Sequence, residues 1–225
     1  MSETTTTVKQ VEKTREPLLS RKNRKLVTDP FNDNNPITVQ VLGICSALAV
    51  TTQVYPAFVM AVSVVLVTGF ANLIISLLRN GIPSKIRMIV QLVVIAALVT
   101  IVEQILKAYS FSVYKQLSVF VGLIITNCIV MGRLEAFAMA NKPWKSFLDG
   151  IGNGIGYGAI LIIVSVCREF LGSGTILGNQ LIPNALYNAG YVNNGIFLTP
   201  AAAMFIIGVV IWIQRSRNKK LIDVS

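Results

Sequence analysis

LSVFVGLIITNCIVMGR, Leu117 to Arg133, decides how the rest of the chain is read. The stretch is strongly apolar and carries Cys128 deep inside it, yet its apolar run from Leu117 to Met131 is only 15 residues long. A second run answers it: ITVQVLGICSALAV, Ile37 to Val50, has 14 residues and holds Cys45 at a similar depth. At about 1.5 Å per residue a straight helix over either run covers about 22 Å, short of the roughly 30 Å hydrocarbon core of a bilayer. Two short, glycine-marked segments at corresponding places in two halves of a membrane protein point to discontinuous helices that build a site near the midplane. Cys45 and Cys128 are the candidates for that site.

The class follows from composition. The 225 residues are 53% hydrophobic and 13% charged, with a mean hydropathy of +0.65, whereas soluble domains carry about 25% charge. The chain reads as an all-α integral membrane protein. A net charge of +10 would suit nucleic acid, but the basic residues lie in tails and short loops and form no stripe interleaved with aromatics, so no nucleic-acid partner is expected. Three cysteines, two of them in the short runs, do not make a disulfide framework. With no histidine in the chain, the usual zinc and haem ligand sets are missing.

Residues 1–35 are polar and lack the apolar centre of a cleaved signal peptide; they read as a cytoplasmic tail. Residues 36–214 form the membrane domain and 215–225 a basic C-terminal tail. Six apolar segments are predicted near 37–54, 57–78, 87–107, 117–138, 150–171 and 196–213. Seven Lys and Arg residues precede position 36, three lie in 79–87, three in 133–145 and four in 215–220. Cytoplasmic loops hold such an excess, so both termini are placed in the cytoplasm, with Lys107, Lys115 and Arg168 towards the other side. Six spans divide into two sets of three, and an odd number per set makes the second set run inverted. The expected architecture is therefore two inverted three-helix repeats with the first and fourth helices discontinuous.

Several motifs have a plain reading beside a functional one. The run DGIGNGIGYG, Asp149 to Gly158, resembles a phosphate loop in spelling only: no strand precedes it, and it opens a membrane helix. Gly150, Gly154 and Gly158, with Gly152 and Gly156 beside them, instead give two small faces at fourfold spacing that let helices approach closely. Glu103, in the apolar run LVTIVEQILKAY, is the candidate acidic group of an ion path, since a carboxylate in a span is costly; its plain alternative is an interfacial pair with Lys107 one turn on. Asp149 and Glu135 are placed in a basic fourth loop, solvated or paired with Arg133, Lys142 or Lys145. Trp144, Trp212, Tyr109 and Tyr114 fit interfacial aromatic belts. Cys167, beside Arg168 and Glu169, is read as packing.

Thiolates ligate iron well, and a [2Fe–2S] cluster takes four of them, or two with two histidines. Two thiols and no histidine are half a set, so a cluster here would need ligands from another polypeptide.

The segments LGICSALAVT (Leu42 to Thr51) and LSVFVGLIITNCIVMGR, with EAFAMANKP after the second and LDGIGNGIGYG beyond it, closely resemble the NqrD/RnfE family. This family comprises the D subunits of sodium-translocating NADH:quinone reductases and the E subunits of Rnf NAD:ferredoxin complexes; the wording of the two cysteine motifs is nearer the former. The resemblance covers roughly residues 34 to 212. It implies a six-helix component of a bacterial inner-membrane complex that also has A, B, C and F subunits, paired in inverted orientation with a homologous E subunit. Each of the two would give two cysteines to a shared intramembrane [2Fe–2S] cluster, here Cys45 and Cys128. Electrons would pass from the NADH- and FAD-bearing subunit towards flavins of other membrane subunits, coupled to sodium export. No flavin, nicotinamide or quinone motif is found on this chain, so it holds no complete active site. Glu103 falls where the resemblance places an acidic residue of the third span. The tail before Pro36 is longer and more basic than the resemblance implies, and Cys167 has no counterpart in its motif. A secondary transporter is the rival from another class, because inverted repeats and broken helices describe carriers equally well; few polar groups, chiefly Gln40, Ser46, Thr126 and Asn127, line the two short segments. A purely structural subunit is the third alternative.

Overall fold

The computed structural model describes residues 35–83, 85–109, 115, 122–176, 179–180 and 195–217. Of the tail expected over 1–35 the described residues include Asn35, which is buried against α5 rather than in a tail, while residues 1–34, the start of the fourth segment, Tyr114 and the end of the C-terminal tail from 218 lie outside the described residues. Six helices carry the described fold: α1 (Ile44–Val50), α2 (Val54–Leu78), α3 (Arg87–Tyr109), α4 (Cys128–Arg133), α5 (Pro143–Ser173) and α6 (Pro200–Arg217). A π-helical turn, Leu134–Ala138, continues α4, and a 3-10 turn, Gly195–Leu198, precedes α6. Among the described residues two short strands follow α5, β1 (Thr175–Ile176) pairing antiparallel with β2 (Asn179–Gln180).

Three helices, α2, α3 and α5, are long and apolar enough to cross a membrane. At 25, 23 and 31 residues they extend about 37, 35 and 46 Å. Helix α6 is a shorter apolar helix. The two segments read from sequence as short are shorter still. Of residues 37–54, only Ile44 to Val50 form α1: turns fill 36–39, and Val41 (φ 58°) and Gly43 (φ 81°) take left-handed backbone immediately before it. In the fourth segment a helical turn at 122–125 stops at Thr126 and extended Asn127 before α4 begins. Helix α5 starts at Pro143, not near 150, because Pro143 is preorganised for the first helical turn. Asp149 is therefore helical rather than in a loop. Gly174, left-handed at φ 66°, ends α5 by donating its N–H to the Phe170 carbonyl at 3.2 Å.

Helices α2 and α5 form the central pair and share the most extensive helix contact. A Cβ on Gly150 would lie 2.8 Å from the Thr68 carbonyl oxygen, one on Gly154 2.8 Å from Val65 Cα, and one on Gly158 3.0 Å from Ala61 Cβ. The fourfold glycine face thus brings two backbones together, the packing expected of small-residue spacing. Helix α3 packs chiefly on α2 and leaves Met88, Ile89, Val93, Ile101 and Ile105 exposed. Exposed apolar side chains on this scale suit lipid or a protein partner. Trp144, Trp212 and Tyr109 are also exposed at helix ends.

Side chains hold the ends of the interrupted helices. Arg168 of α5 is fully buried. It donates to the Leu48 carbonyl (3.2 Å) and the Thr51 hydroxyl (2.7 Å) at the end of α1, and to the carbonyls of Phe197, Leu198 and Thr199 before α6. Its neighbour Glu169 accepts the Val54 N–H at 2.7 Å, capping α2. At the other end of the central pair, Arg133 pairs with buried Asp149 through two nitrogens, Nε to Oδ2 at 3.0 Å, and Asn153 donates to Asp149 Oδ1 at 3.1 Å. Glu135 pairs with Arg87 and accepts from Gln91 Nε2. Asp149 thus takes the partner expected from sequence, and Glu135 takes one from α3 instead.

Two outcomes follow for detergent-solubilised protein. Gly154→Val drives a side chain into the α2 backbone and lowers stability by about 1–3 kcal/mol, seen as a reduced melting temperature, while Gly208→Ala, which meets nothing within 4 Å, leaves it unchanged or raised. Arg168→Met leaves four carbonyls and the buried Thr51 hydroxyl without their donor and costs at least about 2 kcal/mol; limited proteolysis should then cut near residues 195–199 before any other described segment.

Candidate cofactor site at two helix breaks

The two cysteines sit alike in their local structure. Cys45 is the second residue of α1 and Cys128 the first of α4, each in the opening turn of a short helix that follows a break. Both thiols are free and exposed on the surface of the chain, although the residues around them, Ser46, Ala47, Asn127, Ile129 and Val130, are buried. The fold brings the breaks together: the Gly43 backbone N–H donates to Cys128 Sγ at an N···S distance of 2.8 Å. Residues 85 positions apart therefore share one site, and Cys45 follows Gly43 by two residues.

Local chemistry explains why the chain breaks there. Gly43 has a left-handed φ, and a Cβ on it would stand 2.9 Å from Cε2 of the buried Tyr157 ring. Neither the backbone conformation nor the space admits a larger residue. Ahead of it, Val41 at φ 58° is a β-branched residue in a region such residues avoid, a strain of order 1–3 kcal/mol that surrounding structure must hold. Asn35 helps to hold it, accepting the N–H groups of Ile37 (3.0 Å) and Thr38 (3.3 Å) and donating to the Gly156 carbonyl of α5 (3.2 Å). At the second break Asn127 caps α4, its Oδ1 accepting the Ile129 N–H at 3.2 Å.

A buried hydroxyl network joins the two breaks. Ser46 Oγ lies 2.6 Å from the Tyr157 hydroxyl, donates to the Gly43 carbonyl at 2.9 Å and accepts from Asn127 Nδ2 at 3.3 Å. In the sequence Ser46 and Asn127 stand out only as polar residues in apolar segments, and Tyr157 is lost within its glycine run. The available signal is that a tyrosine hydroxyl inside an apolar helix needs a partner.

Glu103 is not part of this site. It is half-buried on α3, whose main packing is with α2 rather than with the cysteine-bearing helices. Cys167 lies on α5 beside Arg168, away from both breaks in sequence, and is half-buried. Among the described residues no group of three or more His, Cys, Asp or Glu side chains converges. Two thiols are accordingly the soft donor set on offer, and they fit half the sulfur complement of a [2Fe–2S] cluster.

Comparison with known proteins identifies the family of the chain. A family model described as "Rnf-Nqr subunit, membrane protein" matches residues 23–211. The chain is 58% identical over 200 residues to the D subunit of the Na(+)-translocating NADH-quinone reductase of Aeromonas salmonicida, covering 89% of this chain and 95% of that one. It is also 58% identical to the D subunit of the same enzyme from Haemophilus ducreyi (89% and 97% covered) and 55% identical to that from Pseudomonas aeruginosa (89% of each). A match over most of the length of both chains leaves one conclusion: this membrane protein belongs to the Rnf-Nqr family.

Proposed function

We propose that the chain is the D subunit of a sodium-translocating NADH:quinone reductase, and that Cys45 and Cys128 supply two thiolates to a [2Fe–2S] cluster whose other two come from a homologous partner. The observation that carries this reading is the Gly43 N–H to Cys128 Sγ bond at a point where both thiols stay exposed. A buried packing cysteine needs neither an amide aimed at its sulfur nor an open face. Ligand thiolates gain from both, since N–H donors to sulfur tune a cluster and an open face admits the remaining ligands. When bound, such a cluster supplies one-electron transfer within the membrane.

The chain's own residues place the two thiols at the paired breaks, with the buried residues Ala47, Ile129 and Val130 close by in sequence. Relatives at 55–58% identity are named as D subunits of the quinone reductase, which favours this complex over an Rnf complex. The short α1 and α4, together with the central pairing of α2 with α5, support two inverted three-helix repeats with six spans, related so that first matches fourth and second matches fifth. The basic excess at residues 79–87, 133–145 and 215–220 supports cytoplasmic termini in a bacterial inner membrane. Glu103, a half-buried carboxylate on an apolar helix, is the candidate acidic group of the ion path.

The test is iron and acid-labile sulfide content with an EPR spectrum after reduction, on the anaerobically purified complex. The wild-type pair of subunits should hold about two irons, and Cys45→Ser and Cys128→Ser should each lose them together with the signal while the complex stays assembled. An intact wild-type complex without iron returns both cysteines to packing.

A further inference from the structure

We propose that Tyr157, Ser46 and Asn127 form a positioning unit that fixes the Gly43 amide against Cys128 Sγ and thereby sets the reduction potential of the site; this deepens the cluster reading and rests on it. The hydrogen-bond bookkeeping assigns each role. Ser46 has one hydroxyl proton, and its bond to the Gly43 carbonyl at 2.9 Å uses it. The Tyr157 hydroxyl, 2.6 Å away, then donates to Ser46 Oγ, which also accepts from Asn127. Gly43 is thereby held through its carbonyl, which accepts from Ser46 and from the Ala47 N–H, and by the Tyr157 ring lying against its Cα, where a Cβ would come within 2.9 Å of the ring. Its remaining polar group, the N–H, is left pointing at Cys128.

Asn127 closes the circuit. Its amide nitrogen reaches Ser46 across the site while its amide oxygen caps the helix that begins with Cys128. One buried serine hydroxyl therefore ties together α1, α4 and α5, and with them both thiol-bearing turns. Buried networks with every member satisfied are stiff and fix one geometry. An N–H bond to a ligand sulfur stabilises the more negative, reduced state, so loosening the unit lowers the potential. None of these three side chains ligates iron or touches the reacting atoms; they act through Gly43 and Cys128.

The complex is purified with Tyr157→Phe, Ser46→Ala and Ser46→Thr. Tyr157→Phe keeps the ring and removes the hydroxyl; Ser46→Thr keeps the hub hydroxyl. The expected result is iron retained, with the one-electron midpoint falling in Tyr157→Phe and Ser46→Ala by on the order of tenfold in the reduction equilibrium, about 59 mV, and with Ser46→Thr close to wild type. Equal potentials in wild type, Tyr157→Phe and Ser46→Ala overturn the proposal. A second measurement needs no iron: yield of Cys45 to Cys128 crosslinking by a short bismaleimide on the full-length chain in membranes. The yield should fall in Tyr157→Phe and Ser46→Ala and recover in Ser46→Thr, and an unchanged yield in all three sinks the positioning role even where a variant fails to assemble. A wild-type complex without iron but with this crosslinking pattern would defeat the cluster reading alone.

Discussion

The close approach of α2 and α5 is the constraint on which the other contacts depend. In lipid there is little hydrophobic gain from bringing two apolar helices together, so association draws on packing and on hydrogen bonds between them. Three glycines one turn apart let the α5 backbone lie on Ala61, Val65 and Thr68. That approach fixes the height at which the rest of α5 presents its side chains. Tyr157, one residue before Gly158, faces the first break. Arg168 and Glu169, further along, reach the junction of α1 and α2, and Asp149, one residue before Gly150, meets Arg133 from α4. A shift of α5 along α2 by one turn would move all of these partners together.

Breaking a helix in a bilayer frees backbone groups that water cannot satisfy, each at a cost of several kcal/mol. Among the described residues, side chains join local backbone turns in supplying the partners. Asn35 takes two amides ahead of the first break, Cys128 takes the Gly43 amide, Arg168 takes the Leu48 carbonyl, Glu169 takes the Val54 amide and Asn127 takes that of Ile129. Several of the polar residues buried in this fold, Asn35, Ser46, Thr51, Asn127, Arg168 and Glu169, therefore serve the interruptions. Arg168 shows how far this goes: a guanidinium has five donors in a fixed fork, and here they gather carbonyls from two chain segments that are far apart in sequence. By sequence its charge is expected on the side opposite the termini, and its use in the fold is structural.

How much of this was legible follows from which signals are local. The membrane class, the long α2 and α3, the glycine contact and the shortness of the cysteine segments all follow from runs of residues and their spacing. The start of α5 did not: Asp149 reads as a loop residue because charge and glycine cluster there, whereas Pro143 already opens the helix and Arg133 pairs with the carboxylate. Cys45 and Cys128 could be singled out by depth, but that Gly43 donates to Cys128 is a contact over 85 positions and leaves no local trace. Tyr157 and Arg168 were hidden for the same reason, since their partners lie on other segments and only the fold supplies them.

The break and the thiol explain each other. In an uninterrupted helix the Gly43 N–H would be committed to the carbonyl four residues back, and no amide would be free to face a sulfur. Left-handed backbone at Val41 and Gly43 turns that amide outward, at a cost in strain that packing alone would not require. The second break does the complementary task, placing Cys128 at the first position of α4, where its side chain meets the first break rather than its own helix. Both interruptions thus converge on one sulfur, and the two thiols remain on the open side of the chain. The fold thus takes on two breaks, the first of them strained at Val41, meets part of their backbone needs with buried side chains and leaves its two thiols exposed, a combination that favours the proposed shared cluster over simple packing.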